Sequence, residues 1–361
     1  MRSARRFFAV ALGACASIGL FGGAAAQTPP AQAAQAASAQ GIAPAQAGTA
    51  DAATAEPPIQ DYAPVMVTGI QPGPGMWRVS KDDHVMWVLG TLTPLPKDVQ
   101  WDANEVEKVI SRSQEIIGLP FLTVDAKAGL FTKLTLIPSA LKARRNPDGR
   151  TLREILPPAQ YARWQALKTR YIGRDQGIES WRPVFAAMEL YDQAIAKSGM
   201  TERSITAKAI AGASKQYGVP ITRPQVRIAV ENPRQVLRDF SSTALNDTEC
   251  FVNTLDRIER DLGLMAERGN AWAIGDLQRL RELPYRNQYV ACMAAFTQTA
   301  LAERAGVRDA GAQVERAWMQ AAESALQRNA STFALLPISE LFKPNGYLAK
   351  LQAKGYEVIE P

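Results

Sequence analysis

The chain has one histidine, His84, among 361 residues, and only three cysteines. A Ser-His catalytic pair would therefore have to recruit His84, and no Gly-x-Ser-x-Gly elbow is present to supply the serine. The spacing of Cys250 and Cys292 fits no zinc motif. Beyond residue 26 no run is long and apolar enough to span a bilayer. Charge of one sign is scarce as well: 41 Lys and Arg against 35 Asp and Glu leave +6, to which Arg2, Arg5 and Arg6 contribute from a segment read below as removed. So weak and dispersed an excess does not imply nucleic acid. The length, with 47% hydrophobic and 21% charged residues, suits one large or two modest globular domains.

What is present begins with an export signal. A basic start, an apolar run from Phe7 to Phe21 and Ala24-Ala25-Ala26 before Gln27 read as a secretory signal peptide over residues 1–26. Leu12-Gly13-Ala14-Cys15 loosely matches a lipobox, which gives the alternative of a lipid anchor through Cys15. Residues 27–62 are Ala, Gln and Pro with almost no large apolar side chains, and read as a disordered tether. Residues 63–361 form the folded domain. The expected location is the periplasm or the exterior, where the remaining Cys250 and Cys292 fit either a disulfide closing a loop of about 43 residues or two buried free thiols.

The domain is organised around Met76 to Thr93. Two runs rich in Val, Trp and Met flank Lys81-Asp82-Asp83, the pattern of a β-hairpin, and the second run breaks at Gly90-Thr91-Leu92-Thr93 into a Pro-containing loop. A sheet is expected to begin near Val65. Asp102 with Glu105 predicts a capping box opening a helix over about 103–113, and Glu115 to Pro120 reads as a short buried strand. From about 126 to 218 the pattern is helical, and Pro157-Pro158 suits the first turn of a helix carrying Tyr161, Trp164 and Leu167. Tyr217 to Ile221 predicts a helix stop and a short strand. A second helical block over about 232–328 opens at Asn232-Pro233, with Trp272, Leu277 and Leu280 as core. Thr332 to Leu336 reads as a strand, a helix follows Pro344-Asn345-Gly346, and Gly355 to Ile359 is the last strand. The fold class is therefore α/β, with a mixed central sheet from the N- and C-terminal segments and a large helical insertion.

That order of pieces resembles the TraB/GumN family over about residues 74–361. The matching features are Trp77 through Gly90-Thr91, the stretch Ala271-Trp272-Ala273-Ile274-Gly275-Asp276-Leu277, Glu315-Arg316, Gly346-Tyr347, and Lys354-Gly355-Tyr356 with Val358. The resemblance implies a Tiki-type metalloprotease-like fold of the wider EreA/ChaN-like group, with two Gly-x-x-His motifs and a Glu after the first helix. Such ligands suit a divalent transition metal that activates water for amide hydrolysis. The first motif lands on Gly90-Thr91-Leu92-Thr93 and the second on Pro337-Ile338-Ser339-Glu340, so both histidines are lost. The expected Glu falls in Gly118-Leu119-Pro120, which holds no carboxylate. Arg316 is a candidate contact for an anion or carboxylate in the old cleft; a helix-surface salt bridge is its other reading.

The degenerate positions Gly90, Thr93, Gly118, Leu119, Pro337 and Glu340 thus point to a pseudoenzyme with no catalytic residue to name, no cofactor, and a peptide or envelope protein as partner. The alternative is a metal-dependent hydrolase with a rearranged oxygen-ligand site, in which Glu340 and Asp125 would hold a divalent metal such as manganese or cobalt.

Overall fold

The computed structural model describes residues 68–126, 134–243, 245–284, 292, 302 and 307–361. The expected signal at 1–26, tether at 27–62 and sheet start near Val65 lie outside the described residues. The first section of chain contributes β1 (Ile70–Gln71), β2 (Met76–Lys81), β3 (His84–Thr91), β4 (Leu95–Pro96), β5 (Gln100–Trp101), α1 (Asn104–Arg112), β6 (Glu115–Ile117) and β7 (Phe121–Ala126). The helical insertion carries α2 (Ile137–Ala143), α3 (Leu152–Ile155), α4 (Pro158–Tyr171), α5 (Pro183–Lys197), β8 (Met200–Thr201) and α6 (Thr206–Tyr217). It continues through β9 (Ile221–Thr222), β10 (Gln225–Val230), α7 (Pro233–Ser242), α8 (Thr248–Arg260), α9 (Leu262–Ile274) and α10 (Leu277–Glu282). The closing section is α11 (Ala310–Arg328), β11 (Ser331–Pro337), α12 (Ile338–Leu341), α13 (Tyr347–Ala353) and β12 (Glu357–Ile359).

The main sheet has the order β12-β2-β3-β11-β6-β9. β12, β2 and β3 pair antiparallel, whereas β3, β11, β6 and β9 run parallel, so the sheet is mixed as the sequence predicts. Lys81 pairs with His84 across a two-residue turn, and Asp82 takes the left-handed φ of 53° that a short polar side chain tolerates. β11 is buried on both faces. Phe333 and Leu335 pack with Val106 and Ile110 of α1 and Ile210 and Ala213 of α6; Ala334 and Leu336 pack with Trp318, Ala322 and Ala325 of α11. Helices on both sides of a parallel core make a three-layer α/β domain.

Besides the two-residue strands β4, β5 and β8, two six-residue strands were not anticipated. β7 and β10 form a parallel ribbon with Gln225 opposite Phe121 and Val230 opposite Ala126. The ribbon prolongs β6 and β9 in one ladder: the Ile116, Gly118 and Phe121 N–H groups donate to the carbonyls of Pro220, Thr222 and Pro224 at 2.9, 2.8 and 3.1 Å. On the β9–β10 side the acceptors advance two residues at each step, while the last step on the other side is one residue longer. That extra residue is a β-bulge spanning Gly118-Leu119-Pro120. The bulge reverses the faces beyond it, so that Ile117 lies in the core with Trp318 and Leu122 lies with Val314 and Ala310, all on the α11 side.

Local capping differs from expectation in two places. Asp102 accepts the Asn104 N–H at 2.9 Å instead of closing a box, because Glu105 is engaged by Lys108 at 2.6 Å. Pro233 does open α7, but the Asn232 side chain makes no capping bond.

The insertion has its own core, built from Trp164, Leu167, Phe185, Leu190, Phe251 and Leu255. One of its buried arginines, Arg182, is 2% exposed and donates to the carbonyls of Arg145, Phe240, Ser241 and Thr243 at 2.8–3.2 Å. Asp247 receives the Val184 N–H at 3.0 Å, and Lys168 meets Glu179 at 2.9 Å. Cys250 and Cys292 are bridged, with Cα atoms 4.7 Å apart and a sequence separation of 42, which settles the two readings of the cysteines in favour of a disulfide. Replacing both by alanine should lower the unfolding free energy by about 2–4 kcal/mol through the loop entropy released to the unfolded chain, read as a lower urea midpoint under oxidising conditions. An unchanged midpoint would mean that the bridge does not constrain the unfolded state.

Candidate functional site

β3, β11 and β6 are adjacent and parallel, so their C-terminal ends open on one edge of the sheet. Open α/β sheets bind their ligands outside this edge. Pro337 lies opposite Thr91 in the register of β11 and β3, and Ala334 opposite Ile117 in that of β11 and β6. Gly90, Thr93, Gly118, Leu119, Pro337 and Glu340 are therefore carried to neighbouring strand ends, although they are scattered through the sequence.

The chemistry at these ends is mostly occupied. The Gly90 carbonyl accepts the Trp272 indole N–H at 2.8 Å, and the Thr91 hydroxyl donates to the Leu336 carbonyl at 3.3 Å. Above Gly90 sit Ile338 and Leu341: a Cβ at this glycine would stand 3.0 Å from Ile338 Cγ1 and 3.1 Å from Leu341 Cδ1. Leu92, Leu95, Trp272, Ile338 and Leu341 belong to one apolar core. Thr93, Leu119 and Pro337 are half-buried, and Gly118 is buried.

Glu340 is 4% exposed, and Lys343 Nζ stands 2.6 Å from its Oε1. Burial pushes the Glu340 carboxyl above the ordinary glutamate range, against the opposing pull of Lys343. Burial followed by the Glu340 charge likewise raises the Tyr347 hydroxyl. α12 and α13 approach so closely that a Cβ on Gly346 would fall 2.6 Å from the Glu340 carbonyl, which explains the glycine there.

The remaining candidates lie elsewhere. Arg316 is exposed on α11, two residues from Val314 and two from Trp318, both wholly buried, and so sits on the helix face turned from the sheet. Its neighbour Glu315 is ion-paired with Lys350. Asp125 is exposed on β7, while Glu340 is buried on α12. His84 occupies the opposite end of the eight-residue β3, about 23 Å from Thr91 at ~3.3 Å per residue, and so remote from the motif position at Thr93. Its Nδ1 is 2.8 Å from the Asn329 carbonyl and its Nε2 3.4 Å from Asp83.

Among the described residues no three His, Cys, Asp or Glu side chains cluster as a metal set. The strand ends offer the hydroxyls of Thr91 and Thr93 and one buried, ion-paired carboxylate, which do not fit the imidazole-and-carboxylate site that the resemblance implies. Two polar roles were not foreseen. Trp272 reads as plain core from its spacing, yet its indole also holds the Gly90 carbonyl; a tryptophan in the Ala271 to Leu277 family stretch was the available signal. Glu115 anchors the far end of β6, accepting from Arg328 at 2.9 Å, Asn329 at 3.0 Å and the Thr222 hydroxyl.

The mixed six-stranded sheet and the helical insertion define an α/β domain whose motif positions gather at the parallel strand ends. A family profile described as the TraB/PrgY/gumN family matches residues 75–360, and the chain belongs to that family. No curated protein and no solved structure matches the chain. No helix among the described residues is long and apolar enough to cross a membrane.

Trp272→Phe should keep the packing but leave the buried Gly90 carbonyl unpaired, costing about 1–3 kcal/mol in urea unfolding. Glu340 gives a pH test. A folded-state pKa raised above the unfolded value of about 4.3 means that the native chain binds the proton more tightly, so stability falls as pH rises through that window. The Tm of Glu340→Gln should match the wild type near about pH 4 and exceed it increasingly toward neutrality. A Tm gap independent of pH would sink this assignment.

Proposed function

We propose that the chain is an exported member of the TraB/PrgY/gumN family that has given up metal chemistry and holds a peptide or an envelope protein without cleaving it. One observation carries the reading. Thr93 and Glu340 stand where the family resemblance implies histidine and the stretch Gly118-Leu119-Pro120 where it implies glutamate, and the only carboxylate among these positions, Glu340, is buried against Lys343. An apolar, half-buried surface flanked by backbone ends suits a polypeptide better than a hydrated metal.

The signal-like residues 1–26 and the Cys250–Cys292 disulfide support a periplasmic or secreted location, with lipidation at Cys15 as the variant form. Nucleic acid is not a partner in this reading, since the charge excess is small.

The test is the metal content of the purified mature protein by elemental mass spectrometry, after incubation with manganese, cobalt and zinc and desalting. The expected result is well below one metal per chain for each ion. Stoichiometric metal that disappears in Glu340→Ala would overturn the reading in favour of a hydrolase with oxygen ligands.

A further inference from the structure

Folding gathers a charge that the sequence scatters. Residues 134–145 and 231–243 hold Lys142, Arg144, Arg145, Arg234 and Arg238 against Glu231 and Asp239, a net of +3. With Arg2, Arg5 and Arg6 set aside from the total of +6, residues 27–361 also carry +3, so everything outside these two segments balances to zero. The segments become α2 and α7, which pack side by side through Leu136, Ala140, Ala143 and Leu237. They run parallel. At one end Arg234 donates to the Thr135 hydroxyl at 3.0 Å; at the other the buried Arg182 donates to the Arg145 carbonyl at 3.2 Å and to those of Phe240, Ser241 and Thr243 at 2.8–3.0 Å. That guanidinium offsets the partial negative charge that two helix C-termini would otherwise show.

The outer face of the pair is basic. Pro138, Ser139 and Lys142 are exposed along α2, and Arg234, Gln235 and Arg238 along α7, in each case at the spacing of one helix face. The Arg234–Thr135 bond joins the two stripes. Arg145 is exposed one turn beyond Lys142, whereas Arg144 turns onto the Trp181 ring, 3.9 Å from its centroid. The nearby acids are engaged by their own neighbours: Asp239 accepts from Gln235 at 2.6 Å, and Asp148, past the end of α2, from Arg150 at 2.6 Å. Leu134, 54% exposed, stands next to Thr135 at the N-terminal end of the pair. Cations spread over two helices with an exposed leucine at one end suit a layer of anionic headgroups over an apolar interior. A single acidic peptide would meet them along one stripe only.

We propose that the outer face of α2 and α7 docks on an anionic phospholipid surface, with Lys142, Arg145, Arg234 and Arg238 at the headgroup phosphates and Leu134 entering the layer beneath. Such docking is independent of the peptide-binding reading above. It holds the protein at a membrane that no helix among the described residues is long and apolar enough to cross.

The experiment is co-sedimentation of the mature chain with vesicles of phosphatidylcholine alone or in equal mixture with phosphatidylglycerol, at physiological ionic strength, where charges are screened beyond about 8 Å. Lys142→Gln/Arg238→Gln removes one cation from each helix of the face. Lys208→Gln/Lys215→Gln removes the same charge from exposed positions on α6. The wild type should bind the mixed vesicles and not phosphatidylcholine alone. The first variant should lose about fivefold in binding for each cation removed, and the second should stay within about twofold of the wild type. Equal losses in the two variants, or no wild-type binding to the mixed vesicles, overturns the proposal. Wild-type binding to soluble polyglutamate but not to vesicles overturns it in favour of an acidic polypeptide. If the first variant does not fold, Lys142→Gln alone, with an expected loss of about fivefold, decides.

Discussion

The structure depends on one strand arriving late. β3 and β6 are parallel and separated by one strand width, and only β11, made after the whole helical insertion, fills the gap between them. Its sequence, Ser-Thr-Phe-Ala-Leu-Leu-Pro, suits a strand with no solvent-facing side, because it must satisfy two ladders and two helical layers at once. α11 immediately before it and α12 immediately after it pack against the same sheet, so the three elements dock together. Contacts of such sequence separation are costly to close and are expected to form late in folding.

The docking of β11 also shapes the strand-end surface. By bringing Pro337 beside Thr91, it places Ile338 and Leu341 over Gly90, and the Trp272 indole takes the remaining carbonyl from a third direction. Here the side chains knit the strand ends to α9 and α12, and the fold's ligand edge becomes partly core. Glu340 fits this account: a carboxylate at a motif position has been drawn under α13 and neutralised by a lysine one turn away.

Much of this was legible in the sequence. The hairpin, β6, β11, β12 and the starts of α4 and α7 follow from alternation, apolar runs and proline placement, signals set by neighbouring residues. The β7–β10 ribbon escaped because the strand was ended at Pro120, although Val226, Ile228 and Val230 alternate with Gln225, Arg227 and Ala229 in the plain pattern of a half-buried strand. At the site, the motif positions could be found by residue type, but not their engagements. That Glu340 is paired, that Arg316 turns outward and that Trp272 reaches Gly90 depend on helix placement, which no local pattern encodes. The capping box at Asp102 failed for a related reason: Lys108, one turn on, competes for Glu105.

The bulge at Gly118-Leu119-Pro120 has a further consequence. The bulge covers the stretch in which the family resemblance implies a glutamate, and bulges are a usual device for re-aiming a side chain. The stretch holds no carboxylate, yet the chain cannot discard the extra residue. A one-residue deletion would turn Leu122 and Val124 from α11 to the opposite face and send Thr123 and Asp125 into the apolar layer, undoing the ribbon along its whole length. The irregularity is thus locked in place by parity, whatever side chains the bulge itself carries.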